Sequence, residues 1–311
     1  MRALSQSFMN DLSQQDGLLH PLLERVKQDH TLLFSIRKGY INIYYRGGSI
    51  LRVEEQQSGR YTAFFDRKYN KSALAVPELP GTICRQDEAV LWVSFFKDLK
   101  EIMDLYFSRN GSLEREFQQL VARENNFSTI SNQSEYFVAD IEFADSLIGA
   151  RFDILAIQWL ASQRQSVRNC RPVLIEMKYG DDALGGNAGV LKHLQDIDAL
   201  ISDKTKYKAL LETMETQFNQ LDELGLLAFN KTAGWDRMTI DAGQKPEVIF
   251  LLANHNPRSS RLHTIFSTSE IERYDQSSTF DLRFFTASFA GYALHTSCMV
   301  TLKQLLELTE R

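Results

Sequence analysis

Cysteine is scarce in this 311-residue chain, and its three copies, Cys84, Cys170 and Cys298, lie far apart. An odd number at such spacings supplies neither a disulfide framework nor a Cys-x-x-Cys zinc pattern. Among the six histidines there is no His-x-x-x-His pair, so a histidine-based zinc site has no support. Long apolar runs are missing too: none approaches the roughly 20 residues that a membrane-spanning helix needs. The segment 1–10 lacks the apolar core of a secretory signal, and a cytoplasmic location is the expectation. There are no repeats and no low-complexity segments. What is present, 43% apolar and 24% charged residues, is the composition of an ordinary globular protein. The length suits one elaborated domain or two modest ones.

The net charge of −5 argues against a nucleic-acid partner only as an average. Residues 31–71 hold eight basic side chains (Arg37, Lys38, Arg46, Arg52, Arg60, Arg67, Lys68, Lys71) against three acidic ones (Glu54, Glu55, Asp66), a local +5 that leaves −10 elsewhere. These charges are interleaved with Phe34, Tyr40, Tyr44, Tyr45, Tyr61, Phe64 and Phe65. Such a mixture suits phosphate neutralisation and base stacking. The alternation in Tyr40-Ile-Asn-Ile-Tyr-Tyr-Arg46 suits equally well a small sheet with one packed and one wet face.

Apolar spacing predicts an opening helix over 11–29, strands over 31–46 and 60–65, and a tight turn at Arg46-Gly-Gly-Ser49. Val76-Pro-Glu-Leu-Pro-Gly81 reads as a linker before a long helix over 86–107. A second helix spans about 112–126, with Ser112 as its cap. Strands over 136–143, 151–157 and 172–177 follow, the first two as a hairpin across 145–150. A polar loop over 180–189, a helix over 190–202, further helix to about 225 and a buried strand over 246–253 come next. A strand region over 281–300 and a short helix close the chain. This order predicts an α/β fold with a mixed central sheet flanked by helices. Residues 1–105 are expected to form a helix plus a small β region serving substrate grip, dimerisation or sensing, and residues 106–311 the main domain.

The stretch Arg171-Pro-Val-Leu-Ile-Glu-Met-Lys-Tyr179 carries the chemistry. Strand side chains alternate, so Glu176 and Lys178 emerge on one face. Asp153 sits in a second apolar run, 151–157, and joins them if the two runs pair as neighbours. Two other acid-x-Lys triplets, Asp66-Arg-Lys68 and Asp98-Leu-Lys100, lack this context: the first has no partner aspartate strand, and the second lies in a helix. An ordinary strand-end salt bridge, contributing about 0–1 kcal/mol when exposed, is the competing reading.

In these residues the chain resembles the PD-(D/E)XK nuclease superfamily, the restriction-endonuclease-like fold, over roughly 112–255. Arg151-Phe152 stands where that family's name implies proline. The resemblance implies a metal-dependent nuclease, with a DNA endonuclease of restriction, defence or repair as the leading case. Non-catalytic modules of the same fold and RNA-directed nucleases are the alternatives. It implies Mg²⁺, with Mn²⁺ as a substitute, held by Asp153, Glu176 and the carbonyl of Met177, and Lys178 orienting or deprotonating the attacking water. Glu116, on the helix before the hairpin, is the candidate fourth ligand, with Glu114 facing solvent. On the following helix Gln195 is the first choice for an auxiliary residue near the phosphate and His193 the second. Asp140 and Glu142 border the cleft or form the wet side of an edge strand. Tyr179 walls the site or packs. A homodimer would suit concerted cutting of two strands.

Overall fold

The computed structural model describes residues 2–57, 59–70, 74–111, 113–165, 168–186, 189–231, 234, 236–255, 260–286, 294 and 296–309. The chain forms two compact units, Met1–Arg123 with Asn219–Leu226, and Glu124–Phe218 with Leu227–Arg311. The expected boundary at 105/106 therefore moves to 123/124, and a short later segment returns to the first unit.

The first unit opens with two helices, α1 (Gln6–Ser13) and α2 (His20–Gln28), where the leucine spacing predicted one. The break lies at Gly17, whose missing Cβ lets it sit against the Asp11 backbone; a Cβ there would lie 2.4 Å from the Asp11 carbonyl oxygen. Pro21 near the start of α2 suits a helix N-terminus, where its missing N–H costs nothing. Five strands follow: β1 (Leu32–Ile36), β2 (Tyr40–Tyr45), β3 (Gly48–Gln57), β4 (Arg60–Phe64) and the short β5 (Thr82–Ile83). They form a sheet in chain order, antiparallel throughout. The predicted turn is a two-residue one: Arg46 and Gly47 have φ of 49° and 73° and join Tyr45 to its partner Gly48. Two positive φ values are the requirement of the hairpin turn that matches strand twist, and glycine meets the second without strain. Helix α3 (Gln86–Phe107) and helix α4 (Leu113–Asn126) up to Arg123 follow in this unit. Ser112, the expected cap, lies outside the described residues.

The second unit is built on β6 (Tyr136–Asp145), β7 (Ala150–Gln158), β8 (Asn169–Tyr179), β9 (Thr239–Ile240), β10 (Glu247–Ala253) and β11 (Asp281–Thr286). Its strand order is β11-β10-β8-β7-β6, with β9 pairing β8. The pairs β6–β7 and β7–β8 are antiparallel, whereas β8–β10 and β10–β11 are parallel. The mixed sheet flanked by helices is thus present. All seven residues of β10 are buried, as expected of a strand covered on both faces. The flanking helices are α5 (Val190–Ser202), α6 (Lys204–Glu223), α7 (Arg261–Phe266), α8 (Ser269–Glu272) and α9 (Leu302–Thr309). The helices α7 and α8 and the strand β9 were not predicted; each is too short for its period to register. Of the strand region expected over 281–300, β11 and a bridge between Phe284 and Val300 are described. A cluster of Phe137, Trp159, Phe218 and Phe229, with centroids 5.3–6.4 Å apart, fills one part of the core.

Candidate functional site

The site starts from the register of β7 on β8. Pairing runs from Gln158 opposite Arg171 to Ile154 opposite Ile175. One further step would place Asp153 opposite Glu176, and directly opposed residues on antiparallel strands face the same side. There the Asp153 carboxylate accepts the Met177 N–H through Oδ2 at 2.9 Å. The bond fixes the orientation of the carboxylate beside Glu176. Two residues on, Lys178 emerges on the same face as Glu176, with Nζ 3.7 Å from Glu176 Oε2. The structure thus brings together Asp153, Glu176 and Lys178, as the alternation requires.

Burial separates Glu176 and Lys178 from a surface ion pair, with Asp153 half-buried beside them. Glu176 is 1% exposed and Lys178 5%. Charges removed from water at a strand end are costly unless paired, and a purely structural ion pair gains little net stability from such burial. The side chain of Met177 is also buried, on the opposite face by alternation.

The helix α5 supplies the next contact. His193 Nδ1 lies 3.1 Å from Glu176 Oε2, so imidazole and ammonium approach the same carboxylate oxygen. Gln195, the expected first choice, is exposed. The reason is helical geometry: at 100° per residue the two side chains lie about 200° apart, so when His193 turns to the sheet Gln195 turns to solvent. A cleft of about 400 Å³ opens beside His193, lined also by Gly149, Arg151, Phe152, Asp196 and Lys206. Two cations therefore border it.

The remaining candidates divide. Glu116 belongs to the first unit, where its carboxylate is engaged by Arg46 at 3.1 Å, which takes up the charge proposed as a fourth ligand. Glu114 lies on the same helix. Asp140, expected either to border the cleft or to lie on the wet side of an edge strand, is 3% exposed, which excludes the wet side. A register shift between Val138 and Asp140 breaks the simple alternation from which its exposure was read. Glu142 lies abreast of Asp153 between the pairs Ile141–Ile154 and Phe143–Phe152, with φ of 51°. A non-glycine residue in the left-handed region is strained backbone, of the kind that gathers at functional sites. Tyr179 is half-buried at the end of β8.

One contact had no sequence signal. His255, just beyond β10, places Nε2 3.2 Å from the Lys178 carbonyl oxygen and Nδ1 3.0 Å from Asp181 Oδ1. It ties the end of β8 at the lysine itself. Gly180, with φ of 76°, makes the turn between Tyr179 and Asp181, and its N–H donates to the Ala253 carbonyl at 2.8 Å. At the other end of the sheet, buried Glu247 accepts from the Tyr136 hydroxyl at 2.8 Å, with Arg171 3.7 Å away. Burial pushes the Glu247 carboxyl up, against the pull of that hydrogen bond and of Arg171.

Among the described residues, no group of three or more His, Cys, Asp or Glu side chains is placed to hold a metal ion. The donor set at Asp153 and Glu176 is two hard oxygen ligands on one face. Mg²⁺ is commonly held by one or two carboxylates, the rest of its shell being water and substrate oxygens. The residues fit such an ion. No helix among the described residues is long and apolar enough to cross a membrane. Comparison of the chain with protein-family models, with curated proteins and with solved structures gave no match.

Proposed function

We propose that the second unit is a restriction-endonuclease-like core that hydrolyses phosphodiester bonds in nucleic acid, DNA before RNA, with Mg²⁺ or Mn²⁺. The observation that carries this reading is the near-complete burial of Glu176 and Lys178 on one face of β8, beside an Asp153 carboxylate oriented by the Met177 N–H. A strand-end salt bridge needs neither the burial nor the aspartate. The strand order, an antiparallel run of three strands continued by two parallel ones, supports the fold half of the proposal.

In this reading Asp153 and Glu176 hold the cation, which when bound stabilises charge on the phosphate and lowers the pKa of a water. Lys178 is too far from Glu176 Oε2, at 3.7 Å, to be spent on a hydrogen bond to it. Its ammonium is available to orient the attacking water or a non-bridging phosphate oxygen. The water oxygen bonds to phosphorus as one P–O ester bond breaks. His193 Nδ1 lies 3.1 Å from the same Glu176 oxygen that Lys178 faces, and Arg151 and Lys206 border the cleft through which a phosphate chain would approach.

The test is cleavage of plasmid, linear duplex, single-stranded DNA and RNA with Mg²⁺ or Mn²⁺, with Asp153→Asn and Glu176→Gln beside wild type. Metal-dependent cutting that falls on the order of 100-fold or more in both variants, with unchanged circular dichroism, is expected. Full activity in either variant removes that residue from the site. Silence of the wild type on every substrate, with no heat of metal binding, would leave a non-catalytic module of the same fold.

A further inference from the structure

The first unit carries a surface that the cleavage chemistry does not use. Tyr40, Arg52 and Phe64 stand on three successive strands, β2, β3 and β4. The register sets Asn42 opposite Arg52 and Arg52 opposite Phe64, and alternation adds Tyr40 to the same face. The other face of these strands, Ile41, Ile43, Leu51, Val53, Tyr61 and Ala63, is buried. On the outer face the Arg52 guanidinium lies 3.8 Å over the Tyr40 ring and 5.8 Å from the Phe64 ring centre. Glu54, 2.7 Å away, holds it there. Phe64 is 49% exposed.

We propose that this face is a stacking platform for single-stranded nucleic acid. The exposed Phe64 ring and the guanidinium plane backed by the Tyr40 ring are flat surfaces of the kind on which unpaired bases stack. Neighbouring strands lie roughly 4.8 Å apart, so the three groups form a continuous row long enough for a short run of nucleotides. Exposed cations stand at its margins: Arg60 on β4 by the same alternation, Lys38 in the turn before β2, and Arg67 just after β4. These three exposed cations are the groups available to the phosphates of a strand crossing the row. A duplex keeps its base faces internal and has no use for an exposed phenylalanine. An acidic protein would engage the cations and leave the rings idle. The class of ligand rests on the nucleic-acid reading of the second unit, whereas binding to this face is measurable without cleavage.

The experiment is fluorescence anisotropy of a labelled single-stranded oligonucleotide, and of its duplex, titrated with the full chain in EDTA. The single strand is expected to bind more tightly than the duplex. Phe64→Ala and Tyr40→Ala should each weaken single-strand binding by about 5- to 100-fold, and Phe64→Tyr, which keeps a ring, should restore it. Unaltered binding in both alanine variants, equal binding of the duplex, or displacement by inorganic polyphosphate as effective as by unlabelled oligonucleotide would overturn the platform. Circular dichroism of each variant excludes misfolding, and half-exposed Phe64 is the least demanding of the three for the fold. The two proposals fail separately: wild type that cuts with metal while Phe64→Ala binds normally retains the cleavage site and loses the platform. Ring-dependent binding with no cutting does the reverse.

Discussion

Glu176 is the residue on which the rest of the candidate site converges. Its place beside Lys178 and the strand bearing Asp153 follows from strand alternation and antiparallel register. The first was legible in the sequence, since Glu-x-Lys at the end of an apolar run can only place both charges on one face. The choice between His193 and Gln195 was not, because it depends on the rotation of α5 about its own axis. Buried Val190, Leu194, Ile197 and Leu200 set that rotation. His193→Ala should therefore lower metal-dependent cleavage by about 10- to 100-fold, as loss of a group orienting a ligand carboxylate does. Gln195→Ala should leave the rate unaltered. Single-turnover rates on the best substrate check this, and the opposite ranking would return the auxiliary role to Gln195.

At the scale of elements, the hairpins were the most readable features. Arg46-Gly47 is a turn by local chemistry alone, and the β6–β7 hairpin follows from two apolar runs with a short gap. The opening helix was misread because leucine periodicity continues across the break, whereas Gly17 makes a backbone contact that no period records. One joint between elements has a measurable consequence. Asp29, at the end of α2, accepts from Lys100 of α3 at 2.5 Å and from Arg25 at 2.7 Å, and also bonds Thr31 beside β1. Burial opposes its charge, yet the Lys100 and Thr31 hydrogen bonds outweigh it and hold the carboxyl at about 2, against an ordinary 3.8. A carboxyl depressed on folding stabilises the protein above its unfolded value, and that contribution is lost as pH falls through the folded one. Asp29→Asn should therefore cost about 1 kcal/mol at pH 7, a figure reduced for solvent screening of a partly exposed pair. The difference from wild type should shrink on going from pH 4 to pH 3 in urea titrations. A gap that stays constant with pH would mean that the Asp29 charge is not what holds the joint.

For the molecule as a whole, the first unit is discontinuous in sequence. Asn219–Leu226 belongs to it, and Gln220 accepts the Leu4 N–H at 3.0 Å and donates to the Leu4 carbonyl at 2.9 Å. Leu221, Leu224 and Leu226 are buried. Losing three such side chains removes roughly 5 kcal/mol or more, comparable with the whole stability of a small domain. A fragment of residues 1–123 should consequently lack a cooperative thermal transition in circular dichroism. A sharp transition in that fragment would show that the returning segment is dispensable. No sequence signal marked this segment, because the helix α6 runs through the boundary without a break in its apolar stripe.

The sequence alone determined the properties that rest on period and on local backbone chemistry: the mixed α/β class, the two hairpins, and a shared face for Glu176 and Lys178. Each depends on residues a few positions apart, where covalent geometry leaves little freedom. Tertiary structure decided which charges leave water, where the sheet's alternation slips, which side of α5 meets β8, and which unit claims residues 219–226. Those outcomes depend on contacts between distant segments, and the energy that selects them comes from burying surfaces against one another.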